Sequence, residues 1–175
     1  MLTPGINFTN FKIKKKSSLV KKNLISILKS KNEVVNSLSQ NYKNSFTKKL
    51  LHKYKKTPNY RVIGMGGSTL GTQTIYDFLK HKITKKFVFT DNLQANPTKN
   101  KKKYTNLIVS KSGNTIETIV NANIYIKNKN KNIFITGNKS SYLYSLAEKL
   151  KSDIIHHNNF IGGRYSVLSE VGMLP

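Results

Sequence analysis

The stretch Leu107-Ile-Val-Ser110-Lys-Ser-Gly113-Asn-Thr115-Ile-Glu-Thr118 decides the fold of this chain. Leu107 to Val109 is a short apolar, β-prone run, and Thr115 to Lys127 follows at helical spacing. Between them lies a turn of hydroxyls around one glycine. A buried strand that empties into such a turn and opens a helix is half of a βα unit. The turn is also a place for an anion, because free backbone N–H groups and the helix dipole both favour negative charge there. Ser110, Ser112 and Thr115 add three hydroxyl donors, and Gly113 allows a sharp bend. The segment is not a P-loop, which needs Gly-x-x-x-x-Gly-Lys-Ser/Thr. Taken alone it reads equally as an anion site or as a helix cap with its turn, since Ser and Thr are favoured at caps.

Working outward, the same strand–turn–helix pattern appears at Arg61-Val-Ile-Gly64-Met-Gly66-Gly67-Ser68-Thr69-Leu-Gly71. The dinucleotide fingerprint Gly-x-Gly-x-x-Gly fails here: counted from Gly64 its third glycine falls on Thr69, and counted from Gly66 its second falls on Ser68. Gly-x-Gly-Gly-Ser suits instead a small anionic group approaching the backbone at Gly67-Ser68. Asp91, which would hold a ribose in that fingerprint, reads as a loop or strand-end residue. From residue 60 onward strand-like runs at 61–63, 86–90, 106–109, 132–136 and 153–156 alternate with helix-like runs at 70–81, 115–127 and 140–151. The crossover containing Asn96-Pro97-Thr98 reads as a loop. Such alternation predicts an α/β fold with a parallel sheet covered by helices on both faces, and ligands at the carboxyl ends of its strands.

Residues 1–16 read as irregular. Ser17 or Ser18 caps a helix with Leu19, Leu24, Ile25, Ile27 and Leu28 on an apolar stripe. A second helical stretch is expected from Asn32-Glu33 through Leu38 and Phe46 to Leu51, broken by Thr57-Pro58-Asn59. The organisation expected is a helical lead-in over 1–58 and one α/β domain over 59–175.

The 175 residues suffice for one well-buried domain, and no run reaches the length of a membrane span. The N-terminus lacks the apolar core of a secretory signal. Cysteine is absent, which excludes disulfides and thiolate metal sites and agrees with a cytoplasmic location. The net charge of +24 would ordinarily suggest nucleic acid. Yet all but two of the 31 basic residues are lysine, spread among asparagine, isoleucine and tyrosine. Base reading favours arginine, so no specific nucleic-acid partner is expected. The positive field would still draw small anions. His156-His157 lack neighbouring ligands in the sequence and read as a strand end rather than a metal site.

The third segment is Asn159-Phe-Ile-Gly162-Gly163-Arg164-Tyr-Ser-Val-Leu-Ser-Glu170-Val-Gly172. Arg164 and Arg61 are the two arginines of the chain, and a guanidinium offers a planar fork that an ammonium cannot reproduce. In this order and spacing the three segments resemble the glucose-6-phosphate isomerase family, whose patterns are Gly-Ile-Gly-Gly-Ser-x-Leu-Gly, Ser-Lys-Ser/Thr-x-Thr-Thr-x-Glu-Thr and Gly-Gly-Arg-Phe/Tyr-Ser-Val-x-Ser/Thr-x-Val-Gly. The first two suggest a sugar-isomerase (SIS) domain, and the third is specific to this enzyme. Two positions depart from the patterns: Asn114 stands where Thr is usual, and Glu170 where a small or apolar residue is usual.

The resemblance implies a three-layer sandwich around a five-stranded parallel sheet of SIS type with flavodoxin-like strand order. It implies interconversion of glucose 6-phosphate and fructose 6-phosphate through an enediol, without metal or cofactor, by a homodimer at full length. Phosphate would be held by Gly67, Ser68, Ser110, Lys111, Ser112 and Thr115, with Thr69, Asn114 and Glu117 as further candidates. Arg164 would face the reacting carbons. The base glutamate, ring-opening lysine and partner-lent histidine of the family would lie beyond Pro175. The reading kept beside it is a non-catalytic SIS-type sugar-phosphate binding module.

Overall fold

The computed structural model describes residues 17–30, 32–93, 102–127 and 131–175. The expected irregular segment at 1–16 and the loop around Pro97 lie outside them. Three helices come first: α1 (Ser18–Lys29), α2 (Glu33–Ser37) and α3 (Lys48–Tyr54). Then β1 (Asn59–Ile63), α4 (Gly67–Leu79), β2 (Lys86–Thr90), β3 (Thr105–Val109), α5 (Ile116–Tyr125), β4 (Asn132–Thr136), α6 (Tyr142–Lys149) and β5 (Asp153–His156) alternate. A 3₁₀ turn at Gly163–Leu168 and the short α7 (Glu170–Met173) complete the chain.

The five strands form one sheet in the order β2-β1-β3-β4-β5, and every pairing is parallel. The sequence therefore predicted the sheet correctly, with strand ends within two residues. β3 and β4 are buried along their whole length, as a central parallel strand must be when helices cover both faces. Alternate residues separate the two cores. Val62, Leu107, Val109, Ile133, Ile135 and Ile155 pack with Tyr54 of α3 and Val171 of α7. Ile63, Ile108 and Phe134 pack on the other face with Ala122 of α5 and with Leu143 and Ala147 of α6. Arg61 is buried on β1, its guanidinium 4.6 Å from the Tyr104 ring and 4.0 Å from the Tyr125 ring. That cation–π stack makes Arg61 a packing residue.

The lead-in needs correction. The stretch expected to run from Asn32 to Leu51 is two helices. Ser37 bonds back to the Val34 carbonyl at 2.7 Å, and Thr47 caps a new helix by accepting from Leu50 N–H at 3.3 Å. The Ser- and Asn-rich segment between them competes with the helix for backbone hydrogen bonds. Tyr42 and Ser45 in this gap are held instead by Glu170. Ser17 caps α1 as expected, accepting from Val20 N–H. α4 starts at Gly67, three residues earlier than its apolar periodicity announces.

Candidate phosphate-binding site

Strand order 2-1-3-4-5 reverses direction between β1 and β3, so a crevice opens at their carboxyl ends. Both glycine-bearing turns sit there. β1 and β3 are neighbours in register, Ile63 opposite Ile108. A Cβ on Gly64 would lie 2.9 Å from the Val109 carbonyl oxygen and 3.1 Å from the Ser68 Cβ, so the two turns are in contact.

The first turn divides its work between two glycines. Gly66 has φ +53°, which a side chain resists, and has open space beside it. Gly67 needs room instead: a Cβ there would stand 2.5 Å from the Gly163 carbonyl carbon and 2.9 Å from the Arg164 nitrogen. Because Gly66 has no side chain to offer, the amino end of α4 is left without a side-chain cap. Thr69 is fully buried and donates to the Gly66 carbonyl at 3.1 Å, so its hydroxyl is spent inside the turn. Ser68 is half-buried at the head of the helix.

The second turn gathers the three predicted hydroxyls around Thr115. Its Oγ1 lies 3.1 Å from Ser110 Oγ and 3.4 Å from Ser112 Oγ. Ser110 is buried and accepts from Gly113 N–H at 3.1 Å. Thr115 occupies the cap position of α5, but its side chain makes no cap hydrogen bond. The amino end of α5 is therefore open as well. Gly113 has φ +68°, and a Cβ there would run into Ser141 and stand 2.9 Å from Thr136 Oγ1. The loop is thus pressed onto the start of α6. Asn114 serves that junction: its Oδ1 accepts from Tyr142 N–H, the first residue of α6, at 2.9 Å. Lys111 reaches across to the Asn159 carbonyl at 3.1 Å, tying this loop to the third segment. Glu117 is half-buried in the first turn of α5.

The third segment packs on α4. Gly163 meets Gly67, Val167 fills the space beside Gly71, and Thr72 donates to the Val171 carbonyl at 2.8 Å. Ser166 donates to the Gly163 carbonyl at 2.7 Å, which tightens the 3₁₀ turn. Arg164 is exposed, with its backbone beside Gly67 and no carboxylate within ion-pair distance among the described residues.

One pair was missed by sequence reasoning. His156 ends β5 as expected, but His157 is buried with its Nδ1 3.4 Å from Glu170 Oε2. The partners are thirteen residues apart, at no spacing that a local pattern marks. Burial alone would raise the Glu170 carboxyl, but hydrogen bonds from His157 and Ser45 outweigh it and bring the group to about 2. Burial, then the bond to Glu170, pushes the Tyr42 hydroxyl up to about 12. Among the described residues no three His, Asp or Glu side chains gather as metal ligands would. A cavity of about 290 Å³ lies away from the two turns, lined by Leu50, Tyr54, Tyr60, Leu107, Ile133 and Leu174 among others. Its Tyr54, Tyr60 and Lys85 donors are engaged within the chain, and it lies apart from the two turns.

Two helix starts without side-chain caps at the switch point of a five-stranded parallel sheet, one behind a hydroxyl-rich turn, give an α/β domain whose fold is also that of a phosphosugar isomerase. The phosphoglucose isomerase family model matches residues 21–175, and the chain belongs to that family. It is 39% identical over 149 residues to a glucose-6-phosphate isomerase of Acholeplasma laidlawii, covering 73% of this chain and 35% of the relative. The chain thus spans about a third of the length of the curated relatives it matches. In fold it is similar to a hypothetical protein, TT0462, of Thermus thermophilus, at TM-score 0.62 and 24% identity, covering 72% of this chain and 34% of that one. It is also similar in fold to a tagatose-6-phosphate ketose/aldose isomerase of Escherichia coli, at TM-score 0.52 and 19% identity, covering 83% and 40%.

Proposed function

We propose that this chain is the phosphate-binding part of an isomerase that interconverts glucose 6-phosphate and fructose 6-phosphate through an enediol, in cytoplasmic glycolysis and gluconeogenesis. The observation that carries the reading is the state of the helix starts. Among the described residues, α1, α2, α3 and α6 each begin with a side-chain cap; α4, α5 and the four-residue α7 do not, and of these α4 and α5 lie at the carboxyl ends of β1 and β3. Those two begin where the sheet reverses order. The N–H groups in the first turn of α5 and that of Gly67, with the hydroxyls of Ser68, Ser110, Ser112 and Thr115, form a cradle for the three oxygens of a phosphate monoester, while the Ser68 and Thr69 N–H groups are held by the Met65 and Gly66 carbonyls.

Arg164 stands beside this cradle and supplies a cation toward the sugar, where an enediolate would develop negative charge. Lys111 braces the cradle against the third segment. Glu117 favours the dipole of α5 and lies near enough to the turn to touch bound sugar. The curated relative named above is a glucose-6-phosphate isomerase, which favours this substrate over other sugar phosphates. The full-length protein acts as a homodimer, and catalysis draws on groups that these residues do not supply.

Calorimetry with fructose 6-phosphate tests the site. Replacing Ser110, Ser112 and Thr115 together with Ala should weaken binding at least ~100-fold, since a hydrogen bond to a charged group contributes roughly 1.5–3 kcal/mol. Lys149→Ala, exposed in the last turn of α6, is the control and leaves affinity near that of the native chain. Undiminished affinity in the triple variant would show that phosphate binds elsewhere.

A further inference from the structure

We propose that Glu170 is a positioning residue for Arg164, acting through His157 as a clasp on the 161–170 loop; this rests on the reading of Arg164 as a sugar-facing cation. The His157 ring spans the loop from one end to the other. Its Nε2 lies 3.2 Å from the Ile161 carbonyl oxygen and its Nδ1 3.4 Å from Glu170 Oε2. Ile161 precedes Gly162-Gly163-Arg164, and Glu170 follows the 3₁₀ turn that carries Arg164. Both ends of the arginine-bearing loop are thereby fastened to one buried imidazole.

The clasp is anchored on its far side too. Glu170 Oε1 accepts from the Tyr42 hydroxyl at 3.0 Å, from Ser45 N–H at 3.1 Å and from the Ser45 hydroxyl at 2.9 Å. The Ser45 hydroxyl also reaches the His156 carbonyl. Glu170 and His157 are both about 1% exposed. A buried carboxylate with this many donors fixes its surroundings, because removing one partner leaves a desolvated charge or donor unpaired. The segment between α2 and α3 is thereby linked to the arginine loop through a single side chain. This explains why an acid is accommodated where the family pattern has a small or apolar residue.

The physical consequence is specific. The turn at 110–115 is held mainly from Ser141, Thr136 and Tyr142, and its one tie to the third segment, from Lys111 to the Asn159 carbonyl, lies outside the clasped 161–170 loop. The placement of Arg164 does depend on it. Loosening the clasp should therefore weaken contacts to the sugar and leave contacts to the phosphate alone.

The test is a double-mutant cycle on the full chain, read by calorimetry with fructose 6-phosphate and, separately, inorganic phosphate. Variants are compared at matched near-ultraviolet circular dichroism. Arg164→Ala should weaken fructose 6-phosphate by about tenfold and inorganic phosphate by less than about twofold. Glu170→Gln is nearly isosteric and turns an amide NH₂ toward the ring; it should reproduce both results. The double variant should bind no worse than Arg164→Ala, because both changes remove one interaction. If Glu170→Gln does not fold, His157→Gln takes its place in the cycle. Glu170→Gln with native sugar-phosphate affinity, beside a weakened Arg164→Ala, overturns the clasp and leaves the site reading standing. Equal losses for inorganic phosphate, or losses that add in the double variant, also overturn it by showing a general structural effect. An unaffected Arg164→Ala instead removes the sugar-facing reading of the arginine, and the clasp with it.

Discussion

Gly67 and Gly163 touch backbone to backbone. The position a Cβ would take on Gly67 is 2.5 Å from the Gly163 carbonyl carbon and 2.9 Å from the Arg164 nitrogen. Two motifs ninety-six residues apart in sequence are therefore in contact at their glycines, and the contact sets Arg164 beside the open start of α4. The same principle recurs one helical turn later, where Gly71 leaves room for Val167. α4 presents a glycine face because the third segment lies on it, through the Gly163 backbone at Gly67 and the Val167 side chain at Gly71.

Gly67→Ala should force the Gly163-Arg164 backbone away from α4. Overpacking of this kind costs roughly 1–3 kcal/mol, so urea unfolding should show a clear loss of stability. Fructose 6-phosphate affinity should fall as well, because both the helix start and the arginine move. Gly66→Ala separates strain from space. It meets open space and bears only the backbone strain of φ +53° with ψ −121°, a region left to glycine, on the order of 1–3 kcal/mol. Equal stability of Gly67→Ala and the native chain would mean that the two backbones part freely.

Most of the sheet was legible because its signal is local. Leu107-Ile-Val and Asn132-Ile-Phe-Ile-Thr are uninterrupted β-prone runs, and glycine turns punctuate them. The hydroxyl turn at 110–115 was equally visible, since a strand, a glycine and three hydroxyls lie within nine residues. The start of α4 was misjudged because Gly67 and Ser68 read as turn residues, and only contact with Gly163 shows why a glycine opens that helix. Asn114 could not be placed from sequence, because its partner is a backbone N–H twenty-eight residues away. The single helix expected over 32–51 failed for a related reason: its middle is claimed by Glu170, on the far side of the chain.

Glu170 also makes stability depend on acid. Its carboxyl lies at about 2 in the folded chain against an ordinary 4.5. A lowered pKa means that the ionised form is favoured by folding. The contribution is complete above about pH 5 and is lost as pH falls through 4.5 toward 2; its full size is on the order of 3 kcal/mol. Urea unfolding of the native chain and Glu170→Gln should therefore differ most at pH 6 and converge by about pH 2. A gap that does not change over that range would show that the charge of Glu170 contributes nothing.

The carboxylates of these 175 residues also decide what the chain does unaided. Moving a proton between C2 and C1 needs a carboxylate within hydrogen-bond reach of those carbons. The chain has seven acids. Glu33 begins α2, Asp77 lies outside on α4, and Glu148 lies on α6. Asp153 is bound to Lys53 at the amino end of β5, the wrong end of the sheet for the site. Glu170 is buried and fully engaged. Asp91 follows β2 at the edge of the sheet, and Glu117 sits in the first turn of α5, where phosphate binding fixes its distance from the anion rather than from C1. None is placed as the base. General acid–base catalysis contributes about 10²–10⁴-fold, and the loss compounds when the ring-opening groups are missing too. We expect a polypeptide of these 175 residues, purified free of host isomerase, to bind fructose 6-phosphate and not turn it over in a coupled assay. Turnover at a rate typical of enzymes would instead point to Glu117 or Asp91, and its abolition by Glu117→Gln or Asp91→Asn would say which.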